Sequence, residues 1–113
     1  MNKEVLKKTI KEYYESAEEA QQKNRPNTAV ILYYKCLVAL VDLFLLKKEG
    51  NTPSSHTNRF KTTKEKYPDI YFILDKDFPY YQDSYQKIMN KELAEAIKED
   101  VQTMANKTGT RIP

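Results

Sequence analysis

Residues 29–46, AVILYYKCLVALVDLFLL, set the condition that any fold of this chain must meet. Only Lys35 and Asp42 are charged within the run, so an α-helix built from it is apolar almost all round. An amphipathic helix buries one stripe and wets the rest, whereas a helix like this one needs cover on several sides. The polar residues Thr28, Lys35, Asp42 and Glu49 stand seven apart and share one narrow seam. Val30, Leu32, Tyr33, Leu37, Leu40, Val41, Phe44 and Leu45 occupy the remaining surface. The sequence thus predicts a central helix from Pro26 to about Lys48, either in the middle of a bundle or with one face pressed into a second copy of the chain. Pro26 suits a first helical turn, and Gly50 can close the helix in the left-handed conformation.

The apolar run falls short of the roughly 20 residues that cross a bilayer, and two charges interrupt it, so no membrane is expected. The N-terminal MNKEVLKKTIKEYY lacks the apolar core of a secretory leader. A single cysteine, Cys36, excludes an intrachain disulfide and suits a reducing cytoplasm. With 113 residues the chain has the size of one domain, expected over 1–107, with a frayed tail from Thr108 to Pro113.

The flanking segments also read as helices. From Lys3 to Lys23 the residues Leu6, Ile10, Tyr13, Tyr14, Ala17 and Ala20 recur at steps of three and four. Opposite charges four apart (Glu4/Lys8, Lys8/Glu12, Lys11/Glu15, Glu19/Lys23) support the exposed faces. Ser54 or Ser55 is an N-cap for a third helix over His56 to Lys66. The aromatic segment that follows fits one short helix over Ile70 to Lys76 and another over Pro79 to Met89. Asn90 caps a last helix carrying Leu93, Ile97, Val101 and Met104. Strand alternation and hairpin turns are absent, so the expected class is all-α: an up-and-down bundle of four to five helices.

Most chemistry is excluded by residue inventory. One histidine and one cysteine with nineteen residues between them cannot supply a zinc site, and no cofactor is expected. Gly50 and Gly109 are isolated, so there is no phosphate loop. Asp75/Asp77 and Glu99/Asp100 are sequence neighbours that point apart on a helix, and they read as solvated charge. Tyr67, Tyr71, Tyr80, Tyr81 and Tyr85 suggest a base-stacking platform, yet this stretch has more acids than bases, so it reads as core or dimer contact, Tyr81 and Tyr85 included. Lys35 and Asp42, on the seam of the central helix, are the other candidate dimer residues. A net charge of +3 does not mark a nucleic-acid binder. The most basic stretch, His56, Arg59, Lys61, Lys64 and Lys66, is the candidate anion or partner site.

In this order, YYESAEEAQQKNRPNTA, AVILYYKCLVALVDLFLLKKEG, TPSSH and YYQDSYQKIMNKELAEAIKEDVQTMANK resemble the HEPN (higher eukaryotes and prokaryotes nucleotide-binding) domain family. The resemblance implies a helical bundle that pairs into a homodimer, often beside a minimal nucleotidyltransferase as a toxin and antitoxin pair. Ribonuclease members of that family resemble one another in an Arg followed four to six residues later by His. Here Arg59 comes after His56, Arg111 is followed only by Ile112 and Pro113, and Tyr81-Gln82-Asp83-Ser84-Tyr85 supplies neither residue at the matching region. An imidazole is the usual proton shuttle near neutral pH, so no catalytic residue is expected and His56 reads as part of the start of the third helix. The expected function is a non-catalytic homodimeric binding protein, with a nucleotidyltransferase-type partner or a nucleotide as its ligand. The competing expectation is an RNA-binding or RNA-cleaving toxin that uses the basic helix 56–66.

Overall fold

Five helices account for most of the protein in a computed structural model, which describes residues 2–112: α1 Lys3–Gln22, α2 Pro26–Glu49, α3 His56–Lys66, α4 Pro68–Asp83 and α5 Lys91–Thr108. No strand occurs among the described residues. Each start has a local cause. Asn2, Ser55 and Asn90 accept hydrogen bonds from the backbone N–H of Val5, Asn58 and Leu93, satisfying donors that the first turn leaves free. Pro26 and Pro68 open α2 and α4, where a missing N–H does no harm. Gly50 (φ 87°) ends α2 in the left-handed region. Among the four charge pairs expected along α1, only Lys23–Glu19 closes, at 2.7 Å.

Helix α2 lies at the centre. It packs most extensively on α1 and α5, and also on α4. Ala29, Val30, Tyr33, Tyr34, Cys36, Leu37, Ala39, Leu40, Val41, Leu43 and Leu45 are buried around its circumference. Leu32, Val38, Phe44 and Leu46 are half-buried against the same core. One chain therefore covers this helix, and the apolar run does not itself require a second copy. At 24 residues α2 is longer than the uninterrupted run suggested, long and apolar enough to cross a membrane; 61% of its most apolar window is buried within the bundle, as in a core helix.

The tyrosine hydroxyls of the core are satisfied. The hydroxyl of Tyr34 donates to the Leu74 carbonyl (3.2 Å), that of Tyr33 to Gln21 Oε1 (2.5 Å), and that of Tyr14 accepts from Gln102 Nε2 (3.2 Å). Cys36 is fully buried, and burial pushes its thiol up to about 12, so it is an inert core residue.

Two segments differ from expectation. In place of two short helices over 70–76 and 79–89 there is one helix, Pro68–Asp83, with Pro79 inside it. Proline removes one intrahelical hydrogen bond, and the apolar anchors Ile70 and Leu74 before it and Tyr81 after it hold the helix together. The chain then leaves the helix because Asn27 takes it over. Asn27 Nδ2 donates to the carbonyls of Ser84 (2.9 Å) and Lys87 (2.7 Å), and Asn27 Oδ1 accepts from Met89 N (2.9 Å). Asn27→Ala should cost about 1–3 kcal/mol, measured by urea unfolding, and should speed amide exchange from 84 to 89; protection left unchanged there would refute this role. The tail, expected to fray, is placed against the bundle. Thr108 is buried, its carbonyl accepts from Lys47 Nζ (2.9 Å), Gly109 (φ 68°) turns the chain back, and Ile112 packs on the core. Pro113 lies outside the described residues.

Candidate functional site

Asp42 lies on an otherwise greasy helix, and a carboxylate there needs a partner. Arg59 of α3 supplies it. Arg59 Nε donates to Asp42 Oδ1 (2.6 Å) and Nη2 to Oδ2 (2.9 Å), a two-pronged pair between side chains exposed by only 9% and 15%. The remaining terminal nitrogen, Arg59 Nη1, lies 2.9 Å from His56 Nδ1, one turn back on α3. A guanidinium has only donors, so Nδ1 is the acceptor and the ring proton resides on Nε2. Although His56 lies at the exposed surface, partial loss of water around its ring, with Arg59 beside it, holds the imidazole below its ordinary range, so it is neutral near pH 7.

These groups edge a cleft of about 240 Å³ between α1, α2, α3 and α4. Its apolar lining comes from Leu6, Val38 and Ala39, and its aromatic lining from Tyr13, Tyr34 and Tyr81. The rings of Tyr34 and Tyr81 are stacked, with centroids 4.8 Å apart. Lys35 Nζ sits 5.8 Å from the Tyr81 ring centre, and the Tyr81 hydroxyl hydrogen-bonds with that of Tyr85 at 3.2 Å. Burial pulls the Lys35 ammonium down, but the Tyr81 hydroxyl beside it more than offsets this, so the amine stays charged. Lys35 enters none of the salt bridges among the described residues. Two cations, one carboxylate and a neutral imidazole leave the cleft with a single positive charge.

The structure thus unites Lys35, Asp42, His56, Arg59 and Tyr81, which sequence reading had assigned to two separate groups, and it places Tyr85, 63% exposed, at their rim. The other basic residues of α3 lie elsewhere. Lys66 pairs with Glu49 (2.6 Å), Lys64 lies over the Tyr71 ring (5.7 Å), and Lys61 lines a separate hollow that also holds Glu49 and Glu65. Arg59, read in the sequence as part of an exposed basic stretch, is turned inward and 8% exposed, because the half-buried Asp42 carboxylate holds it there. The sequence signal for this pair was available: a lone acid in an apolar helix demands a cation from a neighbouring element.

A second acid was misread. Asp77, expected in solvent, is 1% exposed at the α4–α5 contact, and its Oδ2 has no hydrogen-bond partner. Burial raises its carboxyl to about 8, assisted by hydrogen bonding to Asp100, so near neutral pH it is an acid that can donate a proton to Asp100. Lys76 Nζ stands 2.8 Å from Asp100 Oδ2 and 3.9 Å from Asp77 Oδ1. Spacing along one helix could not reveal this, because the partner carboxylate comes from another helix. No group of three or more His, Cys, Asp or Glu residues arranged to hold a metal ion occurs among the described residues.

Compared with protein-family models, curated proteins and solved structures, the chain matches none. Fold and site define a five-helix α-bundle with a singly positive, aromatic-walled cleft between its first four helices.

Proposed function

We propose that this protein is a non-catalytic binding protein of HEPN-like character, acting as a homodimer with its α1–α4 cleft as the ligand site. The observation that carries the reading is the Arg59–His56 contact at 2.9 Å together with the two-pronged Arg59–Asp42 pair. A ribonucleolytic centre needs an imidazole free to take a proton and a cation free to meet phosphate. Here the acceptor nitrogen of the imidazole is already bonded and the guanidinium charge is already neutralised. Homodimer formation is supported by the exposed apolar side chains Tyr85 (63%), Ile88 (94%) and Phe72 (56%) rather than by α2. A nucleotidyltransferase-type partner and a nucleotide ligand rest on the sequence resemblance alone, and the cytoplasmic setting rests on composition.

The second reading, an RNA-cleaving toxin, is favoured by the same His56–Arg59 proximity. One pair of measurements separates the two. Sedimentation at micromolar concentration is expected to show a dimer, and purified protein is expected to leave RNA intact without metal. Metal-independent cleavage abolished by His56→Ala establishes the toxin; a strictly monomeric protein removes the dimer.

A further inference from the structure

We propose that the α1–α4 cleft binds a small planar organic monoanion, an aromatic carboxylate of one ring system. This deepens the binding reading above and rests on it. Size is the first constraint: about 240 Å³ lies below the roughly 300–1,000 Å³ of sites that take drug-sized ligands, which favours a guest of one ring system. Shape is the second. Tyr34, 1% exposed, backs the Tyr81 ring at 4.8 Å with planes 23° apart, and the partly exposed rings of Tyr81 and Tyr13 are the aromatic surface left for a flat guest.

Charge decides the rest. Arg59 is occupied by Asp42 and His56, so Lys35 is the one cation of the cleft without an anionic partner. A monoanion placed beside Lys35 neutralises the site. A dianionic phosphate leaves an excess negative charge near the half-buried Asp42 carboxylate, and a neutral ring leaves the ammonium unpaired beside apolar surface. The Tyr81 and Tyr85 hydroxyls, 3.2 Å apart at the rim, offer further hydrogen bonds to a carboxylate held there.

The test uses the full chain with 4-hydroxybenzoate, its neutral methyl ester and AMP, followed by amide NMR titration up to millimolar concentration. The expected result is saturable shifts around Lys35, His56 and Tyr81 with 4-hydroxybenzoate, at least tenfold weaker binding of the ester and of AMP, and at least tenfold loss of affinity in Lys35→Gln. Lys61→Gln, on the other side of α3, should bind as the parent does. A thermal melt establishes that Lys35→Gln is folded, and Lys35→Arg should retain most of the affinity. No saturable binding, equal binding of acid and ester, tighter binding of AMP, or an unaffected Lys35→Gln overturns the proposal. None of these outcomes bears on the absence of ribonuclease activity or on dimer formation, so the broader reading fails or stands on its own measurements.

Discussion

Arg59→Ala should lower the unfolding free energy by about 3–5 kcal/mol, seen as a drop in denaturant midpoint at unchanged slope, and Asp42→Ala should do nearly the same. The size follows from burial. Arg59 and Asp42 are each largely screened from water, and removing either strands the other as an uncompensated charge against the apolar body of α2. An exposed pair such as Lys23–Glu19, screened by water, should contribute far less. Pairing Arg59→Met with Asp42→Leu should recover most of the loss, because both charges are then gone. The His56 imidazole should titrate closer to its ordinary range in Arg59→Ala, since one of the groups holding it down has been removed. A loss below about 1 kcal/mol for both single variants would show that the pair is solvated and that this account of the cleft is wrong.

Asp77 should make the protein less stable as pH rises from about 4 to about 8, on the order of 1 kcal/mol for each pH unit, with no further change above. Its folded carboxyl sits at about 8, above the ordinary 3.8. Between those values the folded chain keeps a proton that the unfolded chain has lost, so its stabilising contribution is complete below about 4 and gone once pH passes about 8. The groups facing it are Asp100 of α5, Lys76 on its own helix and, on α2, the Tyr34 hydroxyl, which Asp77 helps to hold above its ordinary range. Asp77→Asn keeps the shape and a donor toward Asp100 without a charge. It should flatten the slope and exceed the parent in stability at pH 8. Glu19, Glu49 and Asp69 are shifted downward and act on the acid side, so the difference between parent and variant isolates Asp77. Identical stability profiles for the two proteins from pH 4 to 8 would be fatal to this assignment.

What the sequence disclosed was whatever depends on neighbours along the chain. The burial of α2 followed from eighteen residues with two charges, the α1 stripe from steps of three and four, and the caps Ser55 and Asn90 from side chains that compete for free N–H groups. What it concealed depends on partners brought together by the fold. Asn27 captures carbonyls 57 and 60 residues away, which no local propensity registers, and so the end of α4 was misplaced. Arg59 lies on a strongly basic helix and looks solvated until Asp42, 17 residues earlier, turns it inward. Asp77 becomes an acid rather than an anion because α5 presents Asp100 to it. In the cleft, five of the residues singled out in the sequence proved to be adjacent, although two different rationales had selected them.

Tyr67 caps the end of α3 and the start of α4 at once, its N–H donating to Thr63 O (2.8 Å) and its carbonyl accepting from Tyr71 N (3.0 Å). The joint between these helices therefore has no slack. His56 and Arg59 stand on one arm of it and Tyr81 on the other, while α3 reaches the central helix through the side chains of Arg59, Lys66 and Tyr67. Parting α3 from the central helix must therefore break the Asp42 pair and both contacts to Glu49, while Ile70 and Leu74 keep α4 moored in the core.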